Sequence, residues 1–259
     1  LAQLLTKAVL PALLLLGAVA PVHAQIADIE PPQAPPEAPP PAEAPAAEAA
    51  PAVRELTKAE IAAFNKAVDA FTAGQEAQKS GDNQGAVAKY DGALPAIRTA
   101  VEADPALIDN VGFLANVLYA DASAYAALGQ MDKVAALYEE SLPHWRKVLE
   151  AKPQDATIRN ILAGTLVQVG NGKLAVQDRG GADPYYAEAL KLARKSVEEA
   201  PQDNVSRNLL LSALIGAGQT STEEGMLEEA LTMGKAMIAD GTIDAANRPT
   251  VEAMVAANG

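Results

Sequence analysis

An all-α fold of about four antiparallel helix hairpins, stacked one on the next, is what this 259-residue sequence predicts, and three observations carry the prediction. Pro105, Pro153, Pro201 and Pro249 recur at intervals of 48 residues, and the strings P-Q-D-A-T-I-R-N-I-L from Pro153 and P-Q-D-N-V-S-R-N-L-L from Pro201 agree at six of ten positions. Other columns keep the same register: Tyr90, Tyr138 and Tyr186, broken by Gly234; Leu94, Leu142, Leu190 and Ile238; Ala86, Val134, Ala182 and Ala230. From Leu56 onward, apolar residues return at three and four, no stretch alternates strictly, and Gly or Pro punctuates the chain at helix-length intervals. A fixed period of this length marks supersecondary units that bury their apolar faces against their neighbours.

Two segments precede the repeats. In residues 1–24 a lone Lys7 leads into the apolar run from Ala8 to Ala20, and Val22-His23-Ala24 supplies the small or β-branched residues a signal peptidase reads. This is the pattern of a secretory signal cleaved after Ala24. The run is shorter than the ~20 apolar residues of a membrane-spanning helix and contains Pro11, so no span is expected after cleavage. In residues 25–55, Pro31, Pro32, Pro35, Pro36, Pro39, Pro40, Pro41, Pro45 and Pro51 alternate with alanine and with Asp28, Glu30, Glu37, Glu43 and Glu48. Proline removes backbone donors and the carboxylates repel one another, so this stretch is expected to be a disordered, extended acidic linker.

The helical domain is expected over 56–259. Thr57-Lys58-Ala59-Glu60 is a capping box, in which the Thr57 hydroxyl faces the Glu60 amide and the Glu60 carboxylate faces back. The four units then span approximately 57–104, 105–152, 153–200 and 201–248, with a capping segment at 249–259. In the third unit, Asp178-Arg179-Gly180-Gly181-Ala182-Asp183-Pro184 reads as a longer loop, with Asp183 as helix cap and Pro184 at the first helical position.

Within each period the residues resemble a tetratricopeptide repeat. Gly74, Ala122, Gly170 and Gly218 occupy the small column of the first helix. Ala86, Tyr90 and Ala93, then Val134, Tyr138 and Ser141, then Ala182, Tyr186 and Ala189, then Ala230, Gly234 and Met237 supply the small, aromatic and small columns of the second. The resemblance implies a right-handed superhelical solenoid in which small residues let paired helices approach and the aromatic fills the seam to the next hairpin. The period departs from the family's ~34 residues. About two extra turns per helix account for the difference and preserve which face points inward.

Composition narrows the chemistry. There is no cysteine, hence no disulfide or thiolate, and the two histidines are His23, in the expected signal, and His144. A formal charge of -13 repels phosphate backbones, so no nucleic-acid partner is expected. No nucleophile, base and orienter converge in the sequence, so no catalytic residue, metal site or cofactor is assigned. Trp145 shares an apolar stripe with Leu142 and Leu149 and reads as core, with His144 flanking it. The acid pairs Glu139-Glu140, Glu223-Glu224 and Glu228-Glu229 read as solvated helix faces. Arg159-Asn160 and Arg207-Asn208, again 48 apart, form either a ladder of ligand donors or ion pairs with Asp155 and Asp203; the structural reading is favoured.

The family resemblance implies a concave surface lined by first helices. Transferring the inward positions gives Val68, Phe71 and Gln75; Asn116, Tyr119 and Ser123; Gly164, Val167 and Asn171; and Ser212, Ile215 and Gln219. The candidate partner-binding residues are therefore Phe71, Gln75, Asn116, Tyr119, Ser123, Asn171, Ser212 and Gln219, a neutral set able to hydrogen-bond an extended peptide. The competing reading of Phe71, Tyr119, Val167 and Ile215 is packing between helices. The expected function is a non-catalytic protein-interaction scaffold of a bacterial periplasm, binding a protein or extended peptide. The alternatives are an accessory subunit with a catalytic groove and an envelope protein that binds a small ligand.

Overall fold

The computed structural model describes residues 53–221 and 225–257. The expected signal at 1–24, most of the expected linker and the Glu223-Glu224 pair lie outside the described residues. Every regular element among the described residues is a helix: α1 (Lys58–Lys79), α2 (Asn83–Ala103), α3 (Ile108–Ala127), α4 (Met131–Ala151), α5 (Ala156–Ala175), α6 (Arg179–Glu199), α7 (Asn204–Thr220), α8 (Met226–Ala239) and α9 (Arg248–Ala257). The 48-residue period is visible in the helix starts, Ile108, Ala156 and Asn204 for first helices and Asn83, Met131 and Arg179 for second helices. Among the described residues no helix is long and apolar enough to cross a membrane.

Helix α1 begins as its capping box requires. The Thr57 hydroxyl accepts from the Glu60 amide at 3.2 Å, and the Thr57 amide donates to the Glu60 carboxylate at 2.8 Å. Just upstream, the Arg54 guanidinium grips the same carboxylate, at 2.8 and 3.0 Å, while the Arg54 amide donates to the carbonyl of Ala103 at the end of α2.

The turns inside the four hairpins share one backbone device. Gly81, Gly129, Gln177 and Gly225 occupy one column and all have positive φ, at 84°, 73°, 63° and 92°. That conformation reverses the chain after the first helix and suits glycine; Gln177 adopts it with a side chain. The third turn therefore has the same length as the first, which corrects the expected long loop. Asp178, not Asp183, caps α6, accepting from the Gly181 amide at 2.8 Å as Asp82 accepts from Gly85. Gly180 and Gly181 belong to the helix, because the cap carboxylate closes over Gly181 where a Cβ would stand 2.6 Å from Asp178 Cγ. Pro184 lies inside α6 on its exposed side, as Pro95 and Pro143 lie inside α2 and α4.

The described residues divide into two compact units, up to Ile158 and from Arg159. In the first, α1 to α4 pack in sequence, each on the next. The centre of α1/α2 is aromatic: Phe71 meets Phe113 edge-on at 5.3 Å and Tyr90 at 5.7 Å, and Phe64 meets Phe113 at 5.9 Å. Tyr119 packs on Tyr138 at 5.4 Å, and Trp145 is fully buried. In the second unit, α6 to α9 again pack in sequence. Tyr186, fully buried, is wedged between Gly170 of α5 and Gly216 of α7: a Cβ at Gly170 would lie 2.8 Å from Tyr186 Cζ, and one at Gly216 would lie 2.6 Å from it. At Gly74 with Tyr90 and at Gly170 with Tyr186 the ring fills the space that glycine leaves.

The fourth hairpin closes differently. α8 has 14 residues where α2, α4 and α6 have 21. Gly234 stands in the tyrosine column because α9 comes close there, with a Cβ at Gly234 falling 2.6 Å from Val251 Cγ1. Residues 240–247 fold back between α8 and α9.

Candidate functional site

The helices divide by exposure before any site is considered. In α3, 15 of 20 residues are buried, against 7 of 21 in α4; in α7, 10 of 17 are buried, against 6 of 21 in α6. A helix enclosed nearly all round is an interior element, whereas one buried along a single stripe presents the rest to solvent. From α3 onward the outward surface is therefore carried mainly by the second helices; in the first hairpin α1, with four of 22 residues buried, is exposed as well.

The eight residues expected to line a first-helix groove are accordingly not free to do so as a set. Phe71 and Tyr119 are 2% and 3% exposed and belong to the aromatic core described above; Val167 and Ile215, in the same column, are buried too. Packing between helices is the reading that holds for this column. Asn116 is fully buried with both amide atoms unpartnered, so it too is removed from any open surface. Ser123 and Asn171 are half-buried and hold the seam tyrosines: the Ser123 hydroxyl bonds to Tyr138, and the Tyr186 hydroxyl donates to Asn171 Oδ1 at 2.7 Å. In the first hairpin the same duty falls to Gln78, which receives the Tyr90 hydroxyl at 3.1 Å, and Gln75 stays half-buried on α1. Ser212 donates to Asn247 Oδ1 at 2.8 Å, and Gln219 turns its amide back to the Ile215 carbonyl at 3.1 Å. At Ser123 and Asn171 the neutral column serves the seam tyrosine's need for a hydroxyl partner, whereas Gln75 and Gln219 have no such duty.

The Arg-Asn pairs are structural, with partners other than those expected. Asp155 and Asp203 are occupied as helix caps, accepting from the Ile158 and Ser206 amides at 3.0 and 2.8 Å. Arg159, 1% exposed, instead donates to Ser196 Oγ at 2.9 Å and to both oxygens of Glu199 near the end of α6. Asn160 reaches forward to Ser206 Oγ at 3.1 Å. Arg207 meets Asp240 and Thr242, at 3.3 and 3.2 Å, and Asn208 bonds the Thr242 carbonyl and the Asp244 amide, both at 2.9 Å. In each hairpin the arginine ties the first helix to the end of the second, and the asparagine ties it to whatever follows.

The strongest electrostatic feature belongs to none of the repeat motifs. Asp121 sits in α3 with 0% exposure, and neither carboxylate oxygen has a hydrogen-bond partner. Asp91 of α2 lies against it and accepts from the Tyr125 hydroxyl at 2.7 Å. Burial first, and then the negative charge of Asp91, push the Asp121 carboxyl up to about 8; Arg98 and Lys133 oppose this weakly. Arg98 is committed elsewhere, in a two-bond pair with Glu140 of α4 at 2.7 and 2.9 Å. The hydrogen bond to Asp91 raises Tyr125 to about 12. The signal was present in the sequence: Asp121 is the one charge in the run Val111–Ala127.

His144 is half-buried beside the fully buried Trp145, and desolvation lowers its pKa. It has the flanking place expected of it. No protein-family model matches this sequence, and no curated protein matches it.

Proposed function

We propose that this chain is a non-catalytic protein-interaction scaffold of tetratricopeptide-like hairpins, exported to a bacterial periplasm, which binds a partner polypeptide on the outward faces of its second helices. The observation that carries the reading is the division of exposure between the helices after the first hairpin: the first helices α3 and α7 are enclosed, whereas α4 and α6 present most of their surface at the same 48-residue spacing, as does α2; α1, at the open end of the series, is exposed as well. Within the unit up to Ile158, the exposed faces of α2 and α4 repeat in register and offer a polypeptide equivalent footholds, each weak alone and additive when engaged together. The export reading rests on the signal pattern ending at Ala24, and the family reading on the glycine and tyrosine columns. The acidic balance of the chain favours a partner with a basic face, through steering as well as contact.

The test is a calorimetric titration of the purified full chain with a polypeptide recovered on it from cell-envelope extract. Saturable binding that survives Gln75→Ala and Asn171→Ala, and weakens when exposed charges on α4 and α6 are reversed, supports the scaffold reading. Turnover of a small molecule, or saturable binding of a small molecule with no polypeptide bound, contradicts it.

A further inference from the structure

We propose that Asp91 and Asp121 form a proton-binding site that latches α2 onto α3 and releases as the proton is lost with rising pH. The geometry leaves the pair little else. Two ionised carboxylates are acceptors only, so in contact they offer each other no donor, and Asp121 is buried with both oxygens unpartnered. One proton resolves this: the protonated Asp121 donates to Asp91, which also receives the Tyr125 hydroxyl.

The groups around the pair give it no contact cation. From α2 come Asp91, Tyr90 and Arg98, and Arg98 spends its bonds on Glu140. From α4 comes Lys133, an exposed side chain in the first turn. From α3 itself comes Tyr125, already bonded to Asp91. The charged residues Lys66, Asp69, Glu76 and Lys79 of α1, which also touches α3, are exposed, as is Asp109 of α3.

The sign follows from where the proton sits. In the unfolded chain Asp121 loses its proton near its ordinary value of 3.8, whereas in the fold it keeps it to about 8. The folded state therefore binds more protons across that window, and raising the pH favours opening, by about tenfold per pH unit, until the folded carboxyl also ionises. The proton leaves to solvent, the Asp121–Asp91 hydrogen bond is lost with it, and no other covalent bond changes.

The experiment uses the full chain, infrared spectroscopy of the protonated-carboxyl stretch and amide hydrogen exchange, across the range from acid to alkaline pH. At neutral pH the wild type should show one protonated carboxyl that disappears around pH 8. Between about pH 4 and that point, α2 and α3 amides should exchange progressively faster relative to α7 amides, and the relative acceleration should level off as the band disappears. In Asp121→Asn the band should be absent and this relative acceleration lost. In Asp91→Asn the titration should move to lower pH, because the neighbouring negative charge is gone. Absence of a protonated carboxyl in the wild type at neutral pH overturns the proposal. So does equal acceleration in Asp121→Asn, or an unmoved titration in Asp91→Asn.

Discussion

Replacing Gly216 by alanine sets two opposed effects against each other. Alanine is the better helix former by about 1 kcal/mol, and Gly216 lies within α7, so local propensity favours the substitution. Against it stands the Tyr186 ring: the new Cβ would fall 2.6 Å from Cζ and closer still to Cε1, where ordinary contact needs roughly 3.5 Å or more. The ring has nowhere to retreat. It is fully buried, Gly170 faces it at 2.8 Å by the same measure, and its hydroxyl is tied to Asn171. Overpacking of this kind costs about 1–3 kcal/mol, and with no escape route the upper part of that range applies, so Gly216→Ala should be destabilising by about 1–2 kcal/mol net. Gly92→Ala in α2, where nothing lies within 4 Å of the added methyl, should instead stabilise by up to about 1 kcal/mol. Urea unfolding followed by circular dichroism measures both. The deciding arm is the cycle with Tyr186→Ala: once the ring is gone, Gly216→Ala should turn neutral or stabilising. If Gly216→Ala stabilises the wild type, or if its cost is the same with and without the ring, the close-packed seam is not what holds α5, α6 and α7 together.

Three further outcomes follow from the same packing and charges. Tyr119→Ala should cost about 3–5 kcal/mol, as should Tyr138→Ala, because the two rings pack together in the core, whereas Gln75→Ala should cost under about 0.5 kcal/mol; thermal unfolding of the three variants distinguishes core from surface. Glu199→Gln strands the buried Arg159 guanidinium, and since Glu199 itself is 41% exposed and partly screened, the loss should be about 1–3 kcal/mol, larger than that of Arg159→Met, which removes the stranded charge. Glu60 is held at about 2 by Arg54 and by Thr57, so the stability it lends the start of α1 is present above its ordinary value of 4.5 and is lost as the pH falls through about 2; amide signals of Lys58 to Ile61 should fray in that window, and in Arg54→Ala they should fray at higher pH.

The period was legible because it is steric. A glycine that admits a tyrosine ring recurs in the first and third hairpins, Gly74 with Tyr90 and Gly170 with Tyr186, at the same spacing. The capping box at Thr57 was legible for a similar reason, since both of its bonds are local. The Asp178 turn misled because Gly180, Gly181 and Pro184 carry the chemistry of a loop, yet a helix tolerates the glycines in its first turn and the proline on its solvent side. The first-helix column failed as a groove for a different reason. Sequence periodicity shows that Phe71, Tyr119, Val167 and Ile215 share a face, but whether that face is open depends on the helices laid against it, and α3 and α7 are enclosed. Ser123 and Asn171 look like ligand donors until the tyrosine hydroxyls they serve are located. Asp121 was readable as an oddity within an apolar helix; its partner Asp91, 30 residues away on α2, was not, because pairing across helices depends on rotation about each axis. The shortened α8 ends at a local stop, Gly241 with φ of 77° just past Asp240, which breaks the 48-residue period.

Photocrosslinking tests most directly where this scaffold meets its partner. A photoreactive residue placed singly at Lys89, Ala136, Lys191 or Lys235 samples the exposed faces of α2, α4, α6 and α8, and one placed at Gln75, Ser123, Asn171 or Gln219 samples the first-helix column. With the full chain in envelope extract, the second-helix set should form adducts with one polypeptide, competed away by excess unlabelled chain, while the first-helix set should form few. Adducts confined to the first-helix set contradict the assignment of the binding surface, and no competed polypeptide adduct from either set contradicts the scaffold function itself.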